Sequence, residues 1–147
     1  MTPASNKAVV RRWLDILETR EYERLDDILA ENVYDHDGER PGVAWWREVR
    51  TKLDAMFSET SVTVHDLVAE GDRVAARFTV TGVHSGDGMP QLGAVPATGK
   101  RFEWAHMHLF RFSGAGRIIE HWAVRDDLGP AIQLGLAEPV SPPPPPA

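Results

Sequence analysis

The chain predicts an α+β domain in which helices come first and antiparallel strands follow. Three observations carry this. Helical stripes of apolar residues occupy the first third of the chain. Segments with strand-like alternation occupy the stretch from Ser61 to Asp126, and hairpin-type turns at Gly71-Asp72 and Gly114-Ala115-Gly116 join two pairs of them. At 147 residues the chain suits one domain with a real core and room for a pocket. Residues 1–136 are expected to form it, with 137–147 a Pro-rich tail.

From Lys7 to about Thr19, Val10, Trp13, Leu14 and Leu17 recur at helical spacing, and a shorter stripe through Leu25, Ile28 and Leu29 suggests a second helix. Asn32 to His36 reads as a short strand turned at Asp37-Gly38. Pro41 then starts a third helix, with Val43, Trp46, Val49, Leu53 and Met56 three and four residues apart. Ser61 to Glu70, Arg73 to His84, Phe102 to Phe112 and Arg117 to Asp126 are the expected strands. The Gly- and Pro-rich segment Ser85 to Lys100 is long for a hairpin connection, a property of loops that close over binding sites. A short helix near Pro130 to Leu136 precedes Ser141-Pro142-Pro143-Pro144-Pro145-Pro146-Ala147, which can join neither helix nor ladder.

Composition removes several function classes. With no cysteine, thiol nucleophiles, disulfides, thiolate metal sites and iron–sulfur clusters are excluded. A net charge of −6 with scattered basic residues offers no stripe for phosphates, so nucleic acid is not an expected partner. No window reaches the length of a membrane span and the N-terminus lacks an apolar signal core, so no membrane partner and a cytoplasmic setting are expected.

The last strand holds the first chemical candidate. Ile118, Trp122, Val124 and Asp126 share a face if alternation is unbroken, which sets a carboxylate in an apolar wall where its charged form is disfavoured, as a proton-transfer group requires. The competing reading is a solvated strand-end Asp that caps the next helix. In the preceding strand Trp104, His106, His108, Phe110 and Phe112 share one face. A three-residue turn pairing Ser113 with Arg117 would set His108 across from Trp122 and Trp104 across from Asp126, with His106 diagonal to Asp126. A turn one residue shorter or longer would pair His108 with His121. By the favoured parity His121 faces outward, where a subunit contact suits it. His106-x-His108 with Asp126 has the composition of a two-histidine, one-carboxylate metal site, but nothing else in the chain supports one.

Several pieces, in order, resemble the SnoaL-like polyketide cyclase family within the NTF2-like superfamily. They are Asn32-Val33-Tyr34-Asp35-His36 before Pro41-Gly42, Leu67 to Arg77, Gly82-Val83-His84-Ser85-Gly86, Pro96 to Lys100, Gly116 to Trp122 followed by Asp126, and Gln133-Leu134-Gly135. The resemblance implies a cone of curved antiparallel sheet wrapped around helices, an apolar pocket, a homodimer through the outer sheet face, and no cofactor or metal. It implies a small hydrophobic polyketide or related natural product as substrate, closed into a ring by an aldol-type step. Asp126 maps onto the family's catalytic acid–base and His108 onto its partner, with His106 beside them at a position where the family often has an amide. Phe78, Trp104 and Trp122 would hold a flat substrate, and Tyr34, His36, His84 and Phe110 are further lining candidates. An epoxide hydrolase or hydroxylase on the same scaffold, and a non-catalytic binding module, are the alternative readings.

Overall fold

The structure, a computed structural model, describes residues 1–142 and 144–146. Helix α1 spans Pro3–Thr19; Pro3 sits at its first turn, and the Thr2 side chain accepts a hydrogen bond from the Ser5 N–H, which relieves an end donor the helix leaves unpaired. The second stripe is too short to nucleate an α-helix: Tyr22–Asp27 is a 3₁₀ turn, and Leu29 already belongs to strand β1, Leu29–Asp35. A two-residue strand β2 (Arg40–Pro41) leads into α2, Val43–Met56. Strands β3 (Phe57–Glu70), β4 (Arg73–His84), β5 (Arg101–Phe112) and β6 (Ile118–Arg125) follow, then a short helix α3, Leu128–Gln133.

The strands form one six-stranded sheet in the order β2-β1-β6-β5-β4-β3. All pairings are antiparallel except β1 with β6, so the chain's first long strand is inserted beside its last. Helix α2 touches β3 at one edge and β1 near the other, which a flat sheet would not allow; the sheet curls around the helices as the resemblance implied. The alternating face Val74, Ala76 and Phe78 of β4 packs with Phe110 and Phe112 of β5 against Val10, Trp13 and Leu17 of α1, forming the main core. A second cluster, Phe57, Met89, Phe102, Trp104 and Leu134, closes the sheet's other end.

The loop after β4 is tied down rather than loose. His84 is fully buried, donates from Nε2 to the Gly88 carbonyl at 2.7 Å and accepts the Thr98 N–H at Nδ1 at 3.2 Å. A Cβ on Gly86 would fall 1.8 Å from the Ala55 carbonyl oxygen, so only glycine fits where this loop passes the end of α2. No helix among the described residues is long and apolar enough to cross a membrane. The expected tail runs through Pro143 and Ala147, which lie outside the described residues; 138–142 carry neither helix nor strand.

Candidate active site

The register of β6 decides which side chains meet. The turn is the expected one: the Ser113 N–H donates to the Arg117 carbonyl at 2.9 Å, and Phe112 pairs with Ile118. The next pair is Arg111 with Glu120, so Ile119 is an extra residue, a β-bulge, and every later position changes face. His108 therefore lies across from Ala123 rather than Trp122, and His106 across from Arg125 rather than Val124. His121, expected outside, is 3% exposed and faces the core, while Trp122 and Val124 turn outward.

Asp126 is displaced by the same bulge. It is exposed, its carboxylate accepts the Gly129 N–H at 2.9 Å, and it caps the start of α3; it does not line the cavity. That corrects the expectation of an apolar wall around this carboxylate. Trp122 stacks on His36 (ring centroids 4.4 Å apart, 8° between planes), and His36 meets Tyr34 and Glu120, so these three candidate lining residues form a surface group outside the cavity. Phe78 and Phe110 are core residues, 1% and 0% exposed, and His84 is spent on the loop. Trp104, His106 and His108 do line the cavity.

What the bulge brings inside is a chain of hydrogen bonds. His106 Nδ1 meets His108 Nε2 at 3.2 Å, His108 Nδ1 meets His121 Nε2 at 2.8 Å, and His121 Nδ1 meets Asp35 Oδ1 at 2.9 Å. Asp35, at the end of β1, also accepts the Trp45 indole N–H at 2.9 Å and the Asp37 N–H at 3.2 Å. A Cβ on Gly38 would fall 2.4 Å from the Trp45 ring, so the β1–β2 turn packs directly on that donor. Trp13 and Trp46 cover the imidazoles from the helix side, at 5.3 Å from His108 and 4.6 Å from His121.

Charge follows from burial. Burial pushes the Asp35 carboxyl up, but the hydrogen bonds from His121, Trp45 and the Asp37 N–H together outweigh it and hold Asp35 below its ordinary value. Burial, then the cations Arg50 and Arg125, push His106 down to about 3. Burial also holds His108 well below its usual value, with His121 and His106 as adjacent competitors for positive charge, and it outweighs Asp35 at His121. At neutral pH the unit is thus one carboxylate and three neutral imidazoles.

The tautomers then follow in sequence. Asp35 can only accept, so His121 carries its proton on Nδ1 and accepts at Nε2. His108 donates from Nδ1 and accepts at Nε2, and His106 donates from Nδ1. His106 Nε2 is left as a lone pair, and it is buried with no hydrogen-bond partner. A buried acceptor without a partner is costly and is found where a ligand or a reaction uses it.

The cavity is narrow, with about 80 Å³ open to the centre of a water molecule. Leu17, Trp46, Leu53, Phe57, Val80 and Trp104 supply its apolar walls, while Tyr22, Asp54, Arg50, Asp37 and Arg125 join the histidine chain as polar lining. The Tyr22 hydroxyl donates to Asp54 at 2.9 Å, and burial first, then this carboxylate, raises its pKa. Arg125 pairs with Asp37 at 2.6 Å and with Asp127 at 3.2 Å, and its guanidinium lies 5.5 Å from the Trp104 ring, which donates to Asp127. Sequence reasoning missed Tyr22, Arg50 and Asp54, on elements it treated only as scaffold, and also Asp35 and Arg125, which stand on strands it searched for other candidates.

The pattern of the SnoaL-like polyketide cyclase family matches residues 7–134. Among solved structures, the fold is similar to TsrD from Streptomyces laurentii, with a TM-score of 0.83 and 28% identity over 93% of this chain and 99% of that one. It is similar also to IdmH from Streptomyces antibioticus, a provisionally assigned polyketide cyclase, with a TM-score of 0.76 and 28% identity over 88% and 98%. AclR from Streptomyces galilaeus, a provisionally assigned hydroxylase, shares the fold at 24% identity and a TM-score of 0.79 over 95% and 87%. No match to this chain was found among the curated proteins.

Proposed function

This chain belongs to the SnoaL-like polyketide cyclase family, and we propose that it closes a ring of a bound hydrophobic polyketide, with His106 as the proton-transfer residue. The observation that carries the reading is the unpartnered His106 Nε2 at the end of a carboxylate-anchored histidine chain, on a residue that lines an aromatic-walled cavity. Asp35, His121 and His108 act through His106 and are positioning residues.

In the proposed step, His106 Nε2 takes a proton from a carbon next to a carbonyl. The electron pair left on that carbon forms a bond to a second carbonyl carbon of the same molecule, whose π pair moves to its oxygen. The new alkoxide then takes the proton back, so substrate and product are isomers and no co-reactant is consumed. An imidazole held down to about 3 is a weak base by itself. The chain offsets this: as Nε2 gains a proton, the Nδ1 protons of His106 and His108 shift toward His108 and His121. The positive charge then sits on His121, beside the Asp35 carboxylate. The aromatic walls supply the remaining catalysis by holding the reacting carbons together, since the closure is unimolecular once they are aligned.

The test uses a panel of aromatic β-diketones with one ring unclosed, each as a carboxylic acid and as its methyl ester, followed in D2O by chromatography and mass spectrometry. Wild-type protein should accelerate exchange at the activated carbon and closure to a cyclic isomer whose formula is unchanged apart from the exchanged hydrogen. His106→Phe preserves the stack on Phe78 (4.9 Å) and should lower both rates by roughly a hundredfold or more. Equal rates in the variant, or no acceleration by the wild type, would remove His106 from this role.

A further inference from the structure

We infer that Arg50 anchors an anionic oxygen on the ligand, so that the site takes hydrophobic carboxylic acids in preference to their esters. The inference rests on reading this cavity as the substrate site, and it adds the chemical class that the site selects.

The argument is a charge balance of the lining. Five charged side chains face the cavity: Asp35, Asp37, Arg50, Asp54 and Arg125. Asp35 is committed to His121 and Trp45. Asp37 is committed to Arg125, which is held in turn by Asp127. Asp54, one helical turn beyond Arg50, would be its natural partner, but it accepts the Tyr22 hydroxyl at 2.9 Å and lies 3.5 Å from Arg20 Nε. Arg50 is thus left without an ion pair among the described residues, and its buried Nε has no hydrogen-bond partner.

A guanidinium that is partly shielded at an apolar wall, with its Nε cut off from water and no ion pair, is free to meet an anionic ligand. Its one organised contact is the face of Trp13, 5.6 Å away, which holds the plane of the fork without using its N–H groups. A planar fork with free donors matches the two oxygens of a carboxylate. Trp46, Leu53, Val49 and Phe57 around it fit the apolar body of such a ligand. Arg50 is also the largest charge contribution holding His106 down, so an anion seated on Arg50 would make the His106 lone pair more basic when substrate is bound. The other groups bearing on His106 are Arg125 from β6 and His108 from its own strand.

The experiment compares 2-naphthoate with methyl 2-naphthoate as probes, by isothermal titration calorimetry at pH 7 on the full chain. The wild type should bind the acid at least tenfold more tightly than the ester. In Arg50→Met the two should bind alike, with the ester's affinity unchanged, and Arg50→Lys should keep part of the preference. A thermal melt of both variants checks folding; removing a half-buried cation without an ion pair should leave the midpoint unchanged or higher. Equal binding of acid and ester to the wild type, no binding of the acid, or a preference that survives Arg50→Met would each overturn the proposal. Equal binding joined to a turnover loss in Arg50→Met would mean that Arg50 meets only a charge formed during reaction. The test is independent of turnover: His106→Phe should keep the acid preference, so failure of the His106 role and failure of the anchor are read separately.

Discussion

Acidification is the perturbation that most directly interrogates the histidine chain. In the unfolded chain His106, His108 and His121 titrate near the ordinary value of about 6.5. In the folded protein all three are held lower, His106 at about 3. A group depressed on folding binds its proton in the unfolded state first, so its contribution is complete above about pH 6.5 and is lost as pH falls toward the folded value. One pH unit below 6.5 this amounts to about 1.4 kcal/mol each for His106 and His108, the two held furthest down, or about 3 kcal/mol together. That is a large part of the roughly 5–15 kcal/mol by which a domain of this size is stable. Asp35, also depressed, adds its own loss only below about pH 4, so between about pH 6.5 and 4 the loss comes from the imidazoles and not from Asp35.

Urea unfolding at intervals between pH 7.5 and 4.5 reads this directly, since the slope of stability against pH counts the protons taken up on unfolding. The expected slope near pH 5.5 approaches two protons from His106 and His108, and His106→Phe should lower it by about one. A stability that stays flat from pH 7 to 5.5 would mean that the imidazoles take up protons as readily folded as unfolded, and the tautomer order assigned to them would fall with that result.

Two further outcomes follow from the same geometry. Asp35→Asn can keep an acceptor oxygen for His121 Nδ1 but removes the negative charge that would face His121 when the chain carries the proton, so closure should slow by roughly a hundredfold or more. Closure at the wild-type rate would break the link from Asp35 to His106. On the outer sheet face Met107 and Val124 are directly paired and 57% and 75% exposed, a nucleus for homodimer assembly. Sedimentation at micromolar concentration should show a dimer that Val124→Glu dissociates, and a wild-type monomer would exclude this interface.

Much of the scaffold was readable because it follows from period alone. The stripes of α1 and α2, the alternation of β4 and β5 and the three-residue turn between β5 and β6 all depend on neighbours within a few residues. The site depends on an insertion that such patterns do not register. Before Ile119, counting by two places each residue of β6 correctly; after it, the same count inverts every face, exchanging His121 for Trp122 and carrying Asp126 out to cap α3. The one local sign was Ile118-Ile119, two adjacent apolar residues in a strand otherwise read as alternating.

Arg50 left a comparable sign. It stands four residues after Trp46 and three before Leu53, within the stripe that faces the core, where a charge needs a reason. Asp35 left none, since a carboxylate ending a short strand is ordinary until a parallel β1–β6 pairing sets it against His121. A bulge thus does here what no substitution within an unbroken strand could do. It moves an imidazole from the outer face into the core without changing the turn, and so joins a carboxylate on the first strand to the histidine pair on the fifth. Ile119 is then the residue that the ladder skips. Deleting it should pair Glu120 with Arg111 and His121 with Phe110 in unbroken alternation, so that His121 stays inward on Asp35 and acid unfolding keeps its histidine-linked steps; a lost step would show that the bulge does more than absorb an extra residue.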